Sequence, residues 1–302
     1  MLHNDPSLFE QIILKVSDET RVEASIIEKD YYVTLFLQKL VEKQPNVIFK
    51  GGTSLSKCYK LINRFSEDID LNIEMTDHAT EGQRKSLKRN IVSTIDELGL
   101  ALANPDDVRS RRTYNRYIID YPTIFSTDYL KENLIVETAV YIKAYPCDTM
   151  EASSLICDYL IGSGYEGLVQ EHQLQPFELS VQRAERTLID KVFALCDYYL
   201  SGALHEHSRH IYDIYKLLSI VALDSHLKDL AFEVREERRP YKNCHSAKDA
   251  VDINALLQEI IDKDIYKQDY EDITSKILFE EVTYKDAIES VKKIIESNVF
   301  CD

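Results

Sequence analysis

The sequence predicts an α+β protein, with a small mixed sheet flanked by helices in its N-terminal half and only helices in its C-terminal half. Three observations predict it. Short strand-like apolar runs occur only before about residue 145. Stretches of helical spacing lie between and before them. From about residue 180 the helical pattern continues to the end, which places two domains at 1–165 and 166–302 with a loop-rich join at 145–180. A chain of 302 residues, 44% hydrophobic and 29% charged, has material for cores of that size.

Taken in order, residues 7–43 carry apolar spacing at Ile12, Ile13, Val16 and then Val33, Leu37 and Leu40, a helical stretch broken at Gln44-Pro45-Asn46. Val47-Ile48-Phe49 is a short strand ending on Gly51-Gly52, and Thr53 to Leu61 is a short helix. Asp68 to Ile73 alternates polar and apolar, as a half-buried strand does. Residues 80–99 are helical and stop at Gly99. Residues 112–121, with Tyr114, Tyr117, Ile118, Ile119 and Tyr121, and Leu134 to Ile142 are further strands.

Composition excludes several classes. The apolar runs are too short to span a bilayer, and the first residues lack a signal peptide's basic start and apolar stretch, so a cytoplasmic protein is expected. Six scattered cysteines without a C-x-x-C pair argue against a disulfide framework and a zinc cluster. There is no G-x-x-x-x-G-K-[ST] phosphate loop. Gly162-Ser163-Gly164-Tyr165-Glu166-Gly167 matches G-x-G-x-x-G, but no long helix follows it, and a flexible loop is the expectation. His205, His207 and His210 do not have zinc spacing and read as polar loop residues. The formal net charge of −16 repels phosphate backbones at long range, so a nucleic acid would need a local basic patch. Lys85, Lys88 and Arg89 form one candidate, and Arg109, Arg111, Arg112 and Arg116 another; each also reads as a solvated face.

The chemistry centres on Asp68 and Asp70. Two residues apart on a strand, they point the same way, with Cα atoms about 6.7 Å apart, while Ile69 and Leu71 face the core. Carboxylates so close repel, and a divalent cation, Mg²⁺ or Mn²⁺, relieves the repulsion while binding substrate phosphates. Gly51 and Gly52, between a strand and a helix, suit an anion site built from backbone N–H groups, with Thr53 and Ser54 beside them and Ser54 as a hydroxyl donor. A lone D-x-D or a lone G-G is usually surface or turn; their order here is the signal. Glu137 sits within the apolar Leu134–Val140 run, where an unpaired carboxylate is costly to bury; the alternative is an edge-strand residue facing water.

Gly51-Gly52-Thr53-Ser54-Leu55 with Arg64-Phe65-Ser66-Glu67-Asp68-Ile69-Asp70-Leu71 resembles the first motif of the AbiEii/MenT toxin family, within the DNA polymerase β-like nucleotidyltransferase superfamily. Thr187-Leu188-Ile189-Asp190-Lys191 resembles the family's second motif, and Arg209-His210-Ile211-Tyr212-Asp213-Ile214-Tyr215 its third, with His210 departing from the acidic residue of many relatives. The resemblance implies a polymerase β-like core followed by a helical domain that contributes Lys191 and Asp213. It implies transfer of a nucleoside monophosphate from an NTP with release of pyrophosphate, Asp68 and Asp70 as metal ligands, and Glu137 as the third carboxylate. Lys191 would contact substrate phosphates or fix the site, and Asp213 would lie near it; by spacing alone Asp213 would pair with Arg209 or Lys216. The resemblance further implies a toxin of a type IV toxin–antitoxin or phage-defence pair, with a cognate antitoxin as partner and the tRNA 3′ end as acceptor.

Arg111, Arg112, Tyr114 and Arg116 are the expected RNA contacts, arginine gripping phosphate and tyrosine stacking on unpaired bases. Two rival readings stand beside this one: transfer to a protein or small-molecule hydroxyl, which the acidic charge favours, and a non-catalytic nucleotide-sensing module that binds a partner.

Overall fold

The structure, a computed structural model, describes every residue except Glu67, Asp128, Tyr129 and Asp302. The chain forms two compact units, one of Met1–Cys58 and Ser66–Val181, the other of Tyr59–Phe65 and Gln182–Asp302.

The first unit is built on a seven-stranded sheet of β1 (Val47–Lys50), β2 (Asp68–Ile73), β3 (Ala101–Leu102), β4 (Tyr114–Asp120), β5 (Asn133–Ala139), β6 (Cys147–Ala152) and β7 (Phe177–Gln182), in the order β3-β4-β5-β2-β1-β7-β6. β1 pairs antiparallel with β2 and parallel with β7, and β2 pairs parallel with β5. Val47, Ile48 and Phe49 are wholly buried, as a central strand covered on both faces requires. Ile69, Leu71, Leu134 and Val136 fill the same core. In β2 only the alternate positions Asp68 and Asp70 are partly open, so the alternating sequence places its carboxylates on one face and its apolar side chains in the core.

Among the described residues, the α-helices of this unit are α1 (Pro6–Thr20), α2 (Ala24–Lys43), α3 (Gly51–Lys57), α4 (Glu81–Glu97), α5 (Leu155–Gly162) and α6 (Glu166–Glu171). The 7–43 stretch is therefore two helices. Asp5 caps α1 and Pro6 opens it, while Arg21 ends it in the left-handed region at φ 62°. Thr80 and Gln83 form a reciprocal capping box at the start of α4, and Gly99 turns the chain at φ +67° beyond its end.

The 145–180 stretch is not loop-rich. It holds β6, α5, α6 and β7, and the G-x-G-x-x-G segment is the end of α5, a tight turn and the start of α6. Short elements with few periodic residues hide there from pattern reading. Because β7 joins the sheet beside β1, the first unit runs on to Val181, past the 165/166 boundary that the sequence suggests.

The second unit comprises α7 (Ala184–Ser201), α8 (Arg209–Leu217), α9 (Ser225–Arg238), α10 (Ile253–Asp262), α11 (Lys267–Asp272) and α12 (Tyr284–Ser297). α7 packs against α8, α9 and α10, and α8 packs against α12. The segment Tyr59–Phe65 belongs here. The Asn63 amide donates to the Tyr212 hydroxyl (2.9 Å), the Phe65 amide to the Ile277 carbonyl (3.0 Å), and the Phe279 amide to the Asn63 carbonyl (2.9 Å). Among the described residues, no helix is long and apolar enough to cross a membrane.

Candidate active site

The carboxylate face comes from three adjacent strands. The parallel register of β2 and β5 sets Asp70 opposite Glu137 and Asp68 opposite Ile135. On the other side of β5, Arg116 of β4 is Glu137's direct partner, with its Nε 3.6 Å from Oε1. Tyr114 and Arg116 alternate outward on β4 while Asn115 and Tyr117 are buried. Burial pushes the Glu137 carboxyl up, and the negative charge of Asp70 adds to this; the Tyr114 hydroxyl and Arg116 oppose it. Glu137 is thus a half-buried strand residue held between acidic neighbours and two partners from β4. It does not face open water from an edge strand.

Gly51 brings the glycine turn against this face. Its φ is +76°, and a Cβ built on it would lie 2.0 Å from Asp70 Oδ2 and 3.0 Å from Asp70 Cβ. Only glycine admits both the backbone conformation and that approach. The two hydroxyls that follow are engaged within the unit. The Thr53 hydroxyl donates to the Asp68 carbonyl (2.5 Å) and lies 3.0 Å from the Ser66 hydroxyl, and wholly buried Ser54 donates to the Gly51 carbonyl (2.9 Å). The one hydrogen of Ser54 is thus held within the turn.

Three consecutive charged residues of α2 buttress this unit from beneath. Glu28 accepts from the Ile124 (2.8 Å) and Phe125 (3.0 Å) amides, and burial nevertheless pushes its carboxyl up. Lys29 donates to the Lys131 carbonyl (2.9 Å). Asp30 accepts from the Lys57 ammonium (2.6 Å) and the Leu155 amide (2.8 Å). Lys57, 5% exposed at the end of α3, also donates to the Thr34 hydroxyl at 2.5 Å. Asp30 thereby fixes the C-terminal end of the helix that begins at Gly51.

In the second unit, wholly buried Asp213 takes a fork from Arg64, Nε to Oδ1 at 2.7 Å and Nη2 to Oδ2 at 2.8 Å. Its Oδ2 also lies 2.9 Å from the Lys191 ammonium. Burial pushes the Asp213 carboxyl up, but the Arg64 and Lys191 cations overcome this and hold it well below the usual carboxylate range. Burial lowers the Lys191 ammonium, with Asp213 opposing. His210 Nδ1 stands 3.3 Å from Lys191 Nζ, and burial followed by the Lys191 charge holds His210 well below its ordinary value. A neutral imidazole accepting at Nδ1 satisfies that geometry. Lys216, one partner that spacing suggested for Asp213, pairs with Glu280 instead at 2.9 Å.

A model of the family described as "Nucleotidyl transferase AbiEii toxin, Type IV TA system" matches residues 35–296. The chain belongs to that AbiEii family. It is a nucleotidyltransferase toxin of the type IV toxin–antitoxin class, with an NTP as substrate and an antitoxin as the partner such systems imply. Among solved structures, the fold is similar to MenT4, a nucleotidyltransferase toxin from Mycobacterium tuberculosis H37Rv, with a TM-score of 0.53 at 16% identity, covering 96% of this chain and 90% of that one. Among curated proteins no match was found.

In this AbiEii toxin the structure brings Asp68, Asp70, Glu137, Tyr114, Arg116 and Gly51 together in one unit, and Lys191 with Asp213 in the other. Asp213 is wholly buried, with both its oxygens engaged by Arg64 and Lys191. Arg112 precedes β4, not on the Tyr114–Arg116 face, and donates to the Asp107 carbonyl (2.8 Å). His210 is a buried helix residue, not a polar loop residue. Pattern reading places Arg64 in the first motif without its Asp213 partner, and overlooks Lys57 and the Glu28-Lys29-Asp30 triplet. The signal for the triplet was present: adjacent charges interrupt an otherwise apolar helix, where burial requires partners.

Among the described residues, no three His, Cys, Asp or Glu side chains converge as a ready metal cluster. A Mg²⁺ site needs only one or two carboxylates besides substrate phosphates, and Asp68 and Asp70, oxygen donors on one strand face, fit that need.

Proposed function

We propose that the chain transfers a nucleoside monophosphate from an NTP to the 3′-terminal hydroxyl of a tRNA in a divalent-metal-dependent reaction, in the cytoplasm, as the toxin of a phage-defence pair. The observation that carries this reading is the register that sets Asp70 against Glu137 and aligns Asp68 with Asp70 on one face. Mg²⁺ or Mn²⁺, held by Asp68 and Asp70, would supply charge neutralisation at the triphosphate when bound.

The remaining steps fall to the chain's own residues. Backbone N–H groups at Gly51 and Gly52 receive the triphosphate, while Thr53 and Ser54 hold the turn in shape. Glu137, with its proton affinity raised, accepts the proton of the attacking hydroxyl. The new bond joins that oxygen to the α-phosphorus, the bond from the α-phosphorus to the bridging oxygen breaks, and pyrophosphate leaves. In the second unit Lys191 is the phosphate-binding cation that the family resemblance implies, held by Asp213 and His210. Tyr114 and Arg116 receive the terminal nucleotide of the acceptor.

The net charge of −16 favours one rival, a protein or small-molecule hydroxyl as acceptor. Incubation with labelled NTPs, Mg²⁺ and either total RNA or total protein decides between them. Label in tRNA is expected, and it should vanish in Asp68→Asn and Asp70→Asn proteins that still fold around Ile69 and Leu71. Label confined to protein would overturn the acceptor, and full activity of the double Asn variant would overturn the carboxylate mechanism.

A further inference from the structure

The two basic patches of the sequence lie together in the folded first unit. Lys85, Lys88 and Arg89, on one face of α4, line an open groove whose other wall includes Ser110 and whose far end carries Asp96. The Lys88 ammonium donates to the Val108 carbonyl (2.9 Å), which fastens the 108–112 turn to α4. The Glu81 carboxyl is held below its usual range first by Lys85, with Arg111 and Arg84 contributing, so Arg111 stands near the start of the same helix. Arg109, Arg111 and Arg112 are exposed on this turn, together with Asp106 and Asp107.

The turn is rigidly joined to β4. The Arg109 amide donates to the buried Asn115 side chain (2.8 Å), the Ile118 amide to the Asn104 side chain (2.9 Å), and Asn104 Nδ2 to the Arg116 carbonyl (3.0 Å). Two residues beyond Arg112, β4 begins at Tyr114, which with Arg116 reaches Glu137. A groove lined with cations, on a chain of net charge −16, thus lies beside the turn that leads into β4. Lys85 and Arg89 are one helical turn apart, about 6 Å along the axis. Such a row suits a repeating phosphodiester, and guanidinium forks match phosphate oxygens.

We propose that the groove between α4 and the 108–112 turn is the docking track for the acceptor's RNA backbone, guiding its 3′ end to Tyr114, Arg116 and Glu137. The proposal rests on the tRNA-acceptor reading above and adds the surface that such an acceptor would use.

The test is a Lys85→Glu/Arg89→Glu variant of the full chain, both side chains being exposed on α4. Transfer is measured to whole tRNA across a salt series, and to a single-stranded 3′-end oligonucleotide too short to cover the groove. The expected result is a KM for tRNA raised about tenfold or more, with a salt slope shallower by about 1 for each lost phosphate contact. The kcat and the activity on the short oligonucleotide should stay at wild-type values. Wild-type KM and slope in the variant, with wild type labelling tRNA, would overturn the track and leave the acceptor standing. Wild type that labels no RNA would overturn the acceptor and the track with it. A raised KM for a labelled protein acceptor instead would assign the groove to acidic protein and overturn the RNA proposal. Lys85→Ala/Arg89→Ala, which keeps helix propensity, serves if the reversal variant fails to fold, and it should give a smaller shift of the same sign.

Discussion

Asp70 occupies the space that a side chain on Gly51 would need: a Cβ there would stand 2.0 Å from Oδ2 of the aspartate. The glycine pair and the D-x-D strand, separate in the sequence, are thus one steric unit. β1 and β2 bring them together, with Lys50 directly opposite Asp70.

Gly51→Ala should fail on two counts. The left-handed backbone at φ +76° costs an alanine about 1–2 kcal/mol, and the clash displaces the Asp70 carboxylate. We expect transfer activity to fall at least about a hundredfold, since small displacements of reacting groups cost about that much. Denaturant unfolding together with NTP turnover checks both effects. An alanine variant with wild-type stability and activity would show that the turn can relax away from Asp70.

Glu137→Gln should abolish transfer yet stabilise the metal-free protein at neutral pH. The folded state raises the Glu137 pKa through burial and Asp70, so the ionised carboxylate opposes folding once pH rises above the ordinary glutamate value. Glutamine removes that opposition and can still accept the Tyr114 hydroxyl; the lost pair with half-exposed Arg116 is worth little. The melting temperature in chelator should rise by about 2–4 °C for each kcal/mol relieved. The gain should shrink as pH falls toward 4. A variant less stable than wild type at pH 7 would contradict the charge argument.

Asp213→Ala leaves the Arg64 and Lys191 cations buried without their carboxylate. Breaking a buried pair from one side costs about 3–5 kcal/mol, so the second unit should unfold at markedly lower urea. Removing the charges together, as Asp213→Leu with Arg64→Met and Lys191→Met, should recover much of the loss while leaving the protein inactive. In the wild type the depressed Asp213 pKa means that the stability this pair adds is present above the ordinary aspartate range and is lost only as pH falls through the lower folded value. Equal urea midpoints for wild type and Asp213→Ala would refute the account.

Lys57→Met tests the support beneath the glycine turn. It strands Asp30, although the Leu155 amide remains as a donor, so a loss of about 2–3 kcal/mol is expected, below the full cost of an orphaned charge. NTP affinity should weaken as α3 loosens, which calorimetry with a non-hydrolysable NTP would read. Unchanged affinity would mean that β1 and β2 alone hold the turn.

Local order was written in the chain itself. Strand alternation at Asp68–Ile73 follows from a period of two, so it fixes which side chains share a face without reference to any other part of the molecule. The same holds for the Gly51-Gly52 turn, the helical run after residue 180 and the capped start of α4. Tertiary structure alone decided what those faces meet. Register between β2 and β5 set Asp70 against Glu137, and β4 added Arg116 and Tyr114. The polypeptide between α3 and β2 delivered Arg64 to Asp213, 149 residues away in sequence. Buried ion pairs such as Lys57 with Asp30 escape pattern reading because a charge in an apolar stretch has an unstated partner. The physical reason is range: side-chain periodicity is a property of neighbouring residues, whereas desolvation and Coulomb pairing depend on which distant segments the fold brings within a few ångströms.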